Sequence, residues 1–215
     1  MSNRPQTEEE LQTREAIGVI RASRFVRKYA HSHKAISMVT ICAIHKKIFK
    51  DAWPEIAGKY REENLKITHS EHLPPHHSEV ASLMAKRDEE LQSKLNALQT
   101  VEGVIHGKHS NEHALAETFE AVVRVAAWLH HAITFVHPFR EGNGRTARLA
   151  ANLILERYGL VGISVKIEKE NKNRYRQTLA QIDIMNDVEP LISLIYDGLL
   201  ERYDGVPLKY YRVKK

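Results

Sequence analysis

The sequence predicts an all-α protein with one short extended element, a candidate β-hairpin. Three observations carry that prediction. Apolar residues recur at helical spacing along most of the 215 residues. Helix start and stop signals punctuate those runs. Residues 63–73 alone break the period and run into the rigid pair Pro74-Pro75.

The elements follow in order. Leu11, Ile17, Ile20, Phe25 and Val26 predict a helix from Glu8 to Tyr29, opened by Thr7 and Glu10 in a capping-box pattern. Val39, Ile41, Ala43, Ile44 and Ile48 predict a second from Ser37 to Phe49. Lys59 to Ser78, with Leu65, Ile67 and Leu73, reads as the extended segment or hairpin. Ser78 and Glu79 open a third helix through Val80, Leu83, Met84, Leu91, Leu95 and Leu98. Gly103 and Gly107 mark Val101 to Ser110 as a loop. Asn111 to about Phe135 is apolar on most faces, which predicts a central buried helix. A polar turn from His137 to Gly144 leads into a helix that begins near Gly144 or Arg145 and ends at Gly159. Two more helices are expected near Asn173–Ile184 and Glu189–Tyr203, with a basic tail after them. No repeat or linker divides the chain, so one domain over 1–215 is expected.

Composition narrows the classes. Hydrophobic residues make up 42% and charged residues 27%, ordinary values for a globular chain with a sizeable core. The net charge of +5 permits an anionic partner without the charge clustering of a nucleic-acid reader. The single cysteine, Cys42, excludes an internal disulfide and fits a reducing compartment. The first fifteen residues hold no apolar signal core, and Arg124, His130 and His131 interrupt the most apolar stretch, so no membrane partner is expected. Thirteen histidines raise a zinc site, but no cysteine partners them; solvated loop histidines are the better reading of His69, His72, His76, His77, His106, His109 and His113.

The chemistry concentrates in residues 137–148, His-Pro-Phe-Arg-Glu-Gly-Asn-Gly-Arg-Thr-Ala-Arg. Gly142, Asn143 and Gly144 are residue types that tolerate positive φ and can turn successive N–H groups into an anion nest. The helix that follows adds its unpaired N–H groups and the positive end of its dipole. Arg145 and Arg148 lie three apart, on one helix face, and two guanidinium forks can hold several phosphate oxygens. Glu141 places a carboxylate beside that anion site, which makes sense through Mg²⁺ shared with phosphates. His137 supplies a general base of suitable pKa range, and Phe139 points into the core. Each feature alone is commonplace; their occurrence within twelve residues, next to the most apolar helix, argues for a phosphotransfer site.

This run resembles the signature of the Fic family, H-x-F-x-[D/E]-G-N-G-R-x-x-R, at every specified position. AIHKKIFKDAWPEIAGKYR resembles the segment leading into that family's flap, and LPPHHSEVASLM the stretch after it, so the likeness covers roughly residues 20–200. The resemblance implies a Fic-fold helical bundle with a short β-hairpin flap. It implies transfer of AMP from ATP to a Ser, Thr or Tyr hydroxyl of a target protein. By that likeness His137 takes the hydroxyl proton and Glu141 holds Mg²⁺. Gly142, Asn143 and Gly144 form the anion hole, Arg145 contacts the phosphates, and Arg148 contacts the γ-phosphate. Lys66, Ile67, Thr68 and His69 are the flap candidates that align the target as an added strand.

Many Fic enzymes carry an inhibitory pattern, [S/T]-x-x-x-E-[G/N]. Here Glu63, Glu102, Glu141 and Glu170 precede Gly or Asn, but Lys59, Leu98, His137 and Lys166 stand four before them. The pattern is absent, so an inhibitor supplied by a separate antitoxin-like protein is one expectation and an uninhibited effector or fragment the other. The expected location is a bacterial cytoplasm, or a cell into which the protein is delivered. A family branch that phosphorylates its target alters the Gly-rich turn; both glycines are intact here, which favours AMP transfer. Transfer of another nucleotide, a non-catalytic nucleotide-binding module and a basic nucleic-acid binder stay open as alternatives.

Overall fold

The computed structural model describes residues 5–68, 70–107, 111–163, 169–185 and 187–203. His69, residues 108–110 and the basic tail lie outside them. The described residues form eight α-helices and one 3₁₀ turn, with no strands. The helices are α1 (Glu8–Ala30), α2 (Met38–Phe49), α3 (Val80–Asn96), α4 (Val101–Ile105), α5 (Glu112–Val136), α6 (Asn143–Arg157), α7 (Lys169–Met185) and α8 (Glu189–Tyr203).

Local chemistry sets the boundaries. The Thr7 hydroxyl accepts from the N–H of Glu10 at 3.2 Å, and the Glu10 carboxylate accepts from Gln6 N–H at 2.9 Å, one residue earlier than a strict capping box requires. Ser37 and Thr40 close a reciprocal box at the start of α2. The Asn111 side chain accepts from Ala114 N–H at 2.7 Å and starts α5. Gly159, with φ +95°, follows the last residue of α6's final turn.

Two expectations are corrected. The loop over Val101 to Ser110 contains α4, because Thr100 caps it through Gly103 N–H at 3.0 Å and Val101 and Val104 bury their side chains. Cap and burial outweigh the two glycines. The hairpin is also not seen: residues 63–68 and 70–75 are extended around a turn, Ser70 N–H donating to Ile67 C=O at 3.3 Å, and no strand pairing occurs among the described residues. A lone two-stranded ribbon is marginal in water, and the carbonyls of Glu63 and Pro75 are taken by the Arg61 side chain.

The long helix α5 runs through the centre, packed on α3, α4, α6 and α8. Length and composition alone would let it cross a bilayer, but Val122, Val123, Ala126, Leu129 and Ile133 spend that apolarity on the core. The α1–α2 pair lies against α6 from the other side. Gly18 lets α1 approach α2, since a Cβ there would sit 1.9 Å from the Ile48 carbonyl oxygen. The α5–turn–α6 unit therefore has both of its helices clamped, and the chemistry-bearing turn projects from a rigid base.

Candidate active site

The turn is built at both ends by left-handed residues. His137 ends α5 with φ 50° and ψ 55°, and Gly142 precedes α6 with φ +76°. A side chain on Gly142 would also meet the Phe49 ring at 2.3 Å. Of the three expected nest residues only Gly142 has positive φ; α6 begins at Asn143, so Asn143 and Gly144 are its first helical residues. Their N–H groups and that of Arg145 have no intrahelical acceptors, so the anion-binding character comes from a helix terminus instead of a nest.

Asn143 has a second task that its residue type did not disclose. Its buried side chain accepts from Phe139 N–H at 2.9 Å and donates to Phe139 C=O at 2.7 Å, stapling the turn from inside. Phe139 is fully buried, as expected, and stacks on His45 at 3.9 Å between ring centres. His45 is buried as well: its Nδ1 accepts from Gly58 N–H at 2.9 Å, so Nε2 carries the proton and donates to Glu141 C=O at 3.0 Å. Burial lowers its pKa from 6.5 to about 4 and keeps the ring neutral.

His137 faces the groove. Its Nδ1–H donates to Thr134 C=O at 3.2 Å, which leaves the Nε2 lone pair free to take a proton. Burial is the main cause that moves its pKa below the usual histidine value, with Arg61 and His72 adding to that and Thr134 and Glu141 opposing it. Glu141 is more than half exposed; one carboxylate oxygen accepts from Gly142 N–H at 2.8 Å and pairs with Arg145 at 3.2 Å. Arg145 also holds Glu15 of α1 at 2.5 Å.

Arg148 differs from Arg145. It forms no ion pair with any carboxylate among the described residues; its guanidinium lies over the Tyr175 ring and meets the Tyr175 hydroxyl. Tyr175 in turn sits 3.0 Å from Nε2 of the buried His130. Gly144 lies beside this arginine, and nothing in the fold demands glycine there. A Cβ would find only Arg148 Nη1 at 3.5 Å and the Tyr175 hydroxyl at 3.9 Å. The space left by the missing side chain opens toward the arginine, as a phosphate cradle requires.

These groups line one groove of about 890 Å³. His137, Glu141, Gly144, Arg145 and Arg148 form its motif side. Ile67, Thr68 and His72 wall it from the flap segment, and Leu179, Ala180 and Asp183 extend it along α7. Of the flap candidates, Ile67 and Thr68 thus reach the groove, Lys66 is exposed and not among its lining, and His69 lies outside the described residues. Among the described residues no three His, Cys, Asp or Glu side chains converge as metal ligands. The lone free oxygen of Glu141 suits Mg²⁺ that brings its other oxygens from phosphate and water.

Four contributors escaped sequence reasoning: Glu15, His45, Arg61 and Tyr175. Each stands in a different segment from the motif. His45 and Arg61 do fall in the stretch whose likeness to the flap approach was noted. Asn152 of α6 clamps Ile163 through two backbone hydrogen bonds of 2.8 and 3.0 Å. His131 pairs with Asp183 at 2.8 Å.

Comparison with known proteins agrees with this layout. The pattern of the Fic/DOC family matches residues 35–155. Protein adenylyltransferase Fic of Nematostella vectensis is 27% identical over 188 residues, 86% of this chain and 38% of the relative. Its namesake in Culex quinquefasciatus is 26% identical over 85% of this chain and 32% of its own length. The chain thus spans well under half the length of these curated relatives. Among solved structures, residues 134–508 of Fic-1 from C. elegans superpose with a TM-score of 0.68 at 24% identity, covering 96% of this chain and 54% of that one. BepC, a translocated effector of Bartonella tribocorum solved with AMPPNP bound, gives 0.65 at 16% identity, covering 90% and 88%. The motif, the helical bundle around it and the match over more than half of its length agree: the chain belongs to the Fic/DOC family.

Proposed function

We propose that this chain transfers AMP from ATP to a Ser, Thr or Tyr hydroxyl of a target protein. One observation carries the reading: the free Nε2 of His137 opens into the same groove as the α6 N-terminus and Arg148, a half-buried cation without a carboxylate among the described residues. The relatives named protein adenylyltransferases support it. So does the ATP analogue bound to BepC.

The target hydroxyl oxygen attacks the α-phosphorus of ATP. Its proton passes to His137 Nε2, a new P–O bond joins AMP to the target, and the bond to the β-phosphate oxygen breaks to release pyrophosphate. The N–H groups of Asn143, Gly144 and Arg145 steady the negative charge on the α-phosphate, and Arg148 holds the γ-phosphate. Glu141 would hold Mg²⁺ brought with the nucleotide, and the ion would supply further charge neutralisation. The residues otherwise position and neutralise, which is most of what phosphoryl-type transfer asks of a protein.

No Glu in these residues carries the inhibitory pattern; an uninhibited effector or a fragment fits that as well, and the regulation proposed is by a separate protein that presents a carboxylate. Harmless expression of the catalytically active chain would contradict that part of the reading.

The decisive experiment incubates the chain with lysate, Mg²⁺ and ATP labelled at the α- or the γ-phosphate. Protein labelling from the α-label alone, lost in His137→Ala while ATP binding persists, is the expected result. Labelling from the γ-label alone would assign a phosphate transfer with the nucleotide reversed. Full transfer by His137→Ala would remove the base.

A further inference from the structure

Arg61 stands at the foot of the flap segment and is 4% exposed. Its backbone N–H donates to Pro138 C=O at 2.8 Å. Its side chain donates to three carbonyls: Nε to His137 at 2.8 Å, Nη1 to Glu63 at 2.9 Å and Nη2 to Pro75 at 2.6 Å. It forms no ion pair among the described residues. A buried cation spent on backbone oxygens serves geometry, because the guanidinium fork fixes its acceptors in one plane.

Those acceptors join two functional parts. Glu63 and Pro75 are the two ends of the segment that walls the groove through Ile67 and Thr68. The third carbonyl belongs to His137 itself, whose left-handed backbone is a strained state for a residue with a Cβ. His72 adds a lesser tie, its Nε2–H donating to Phe135 C=O at 2.8 Å.

We infer that Arg61 is a positioning residue that locks the flap segment and the base into one frame, so that a hydroxyl docked against the flap meets His137 Nε2 at a set distance. The inference rests on the reading of His137 as base and goes beyond it. Displacement of a reacting group by about 1 Å costs on the order of a hundredfold in rate, which is the scale of effect expected here.

The test compares the full chain with Arg61→Lys, which keeps charge and bulk but reaches fewer carbonyls at once, and with Arg61→Ala. Hydrogen exchange is read first, since it needs no activity. In Arg61→Lys the amides of residues 63–75 and 137–142 are expected to exchange at least about tenfold faster together, with α1 and α8 unchanged. Transfer of α-labelled AMP to lysate proteins at saturating ATP falls about a hundredfold, while calorimetric ATP affinity stays within about threefold. Guanidinium ion added to Arg61→Ala restores part of the protection and of the transfer. Unchanged exchange in either segment overturns the inference, as does loss of ATP affinity in step with rate. If the wild-type chain transfers nothing but both segments loosen, the clamp stands and the base assignment fails. If the wild type is active, His137→Ala is dead and Arg61→Lys is fully active, the clamp fails alone.

Discussion

Glu15 of α1 grips Arg145 of α6 at 2.5 Å, across 130 positions of chain. The pair is largely shielded, with the side chains 15% and 26% exposed. It ties the first helix of the chain to the first turn of the motif helix, where Arg145 also shares Glu141. The consequence is energetic coupling. Glu15→Gln and Arg145→Gln should each lower stability, and the double variant should fall short of their sum by about 1–3 kcal/mol. Urea unfolding of the four proteins measures it; strict additivity would show that the contact contributes nothing.

Gly142 and Gly144 should respond oppositely to alanine. At Gly142 the left-handed backbone and the Phe49 ring both oppose a Cβ, so Gly142→Ala is expected to cost about 2–4 kcal/mol. At Gly144 the backbone is helical and the new methyl meets no hard wall. Gly144→Ala should leave the melting temperature unchanged or slightly higher, yet weaken ATP binding about tenfold by filling the space beside Arg148. Thermal melts and calorimetry separate the two outcomes.

The internal staple of the turn is tested at Asn143. Its amide donates and accepts at once, so Asn143→Asp retains the acceptor to Phe139 N–H and places a charge against Phe139 C=O. Both Asn143→Asp and Asn143→Ala should destabilise by about 2–4 kcal/mol, the aspartate more severely near neutral pH than at pH 4. Chemical denaturation at the two pH values reads the difference.

Acid should loosen the protein through two buried neutral histidines. Burial lowers His45 to about 4 and His130 to about 3, against 6.5 for the unfolded chain. Between those values the unfolded state binds more protons, so this stability is complete above pH 6.5 and drains away as pH falls. Each histidine should contribute a loss of about 1.4 kcal/mol per pH unit between pH 6 and pH 4.5. Unfolding free energies measured across that range check the slope. The rate follows a related sign: with His137 held below its ordinary value, AMP transfer should fall only as pH drops beneath 6.5.

The sequence disclosed the site where its parts are contiguous and concealed it where they are not. His137, Glu141, Gly142, Arg145 and Arg148 stand in one run, so their chemistry could be weighed together before any fold was known. Helices with strong period and a cap, such as α1 and α5, were equally legible. The short α4 was masked by Gly103 and Gly107, because the burial of Val101 and Val104 that sustains it comes from tertiary packing. The extended segment was legible, but the Arg61 hydrogen bonds that tie its two ends at Glu63 and Pro75 were not, because those acceptors are set by the fold. Glu15 and Tyr175 carry no local pattern at all, and His45 lies in the stretch that resembles the flap approach with nothing there to mark its role. A carboxylate, an imidazole or a phenol announces its role only when another helix meets it.

The staple between Asn143 and Phe139 and the two helices around it suggest a self-contained cassette, yet the geometry argues against portability. A graft of residues 112–157 into another bundle would carry the proposed base, the proposed phosphate-binding helix terminus and the staple. It would leave behind the imidazole under Glu141, the guanidinium behind His137 and the carboxylate on Arg145, which arrive from residues 45, 61 and 15. A transplant of the signature alone would therefore yield a folded turn with idle chemistry, and a working one needs donor positions from α1, α2 and the foot of the flap as well.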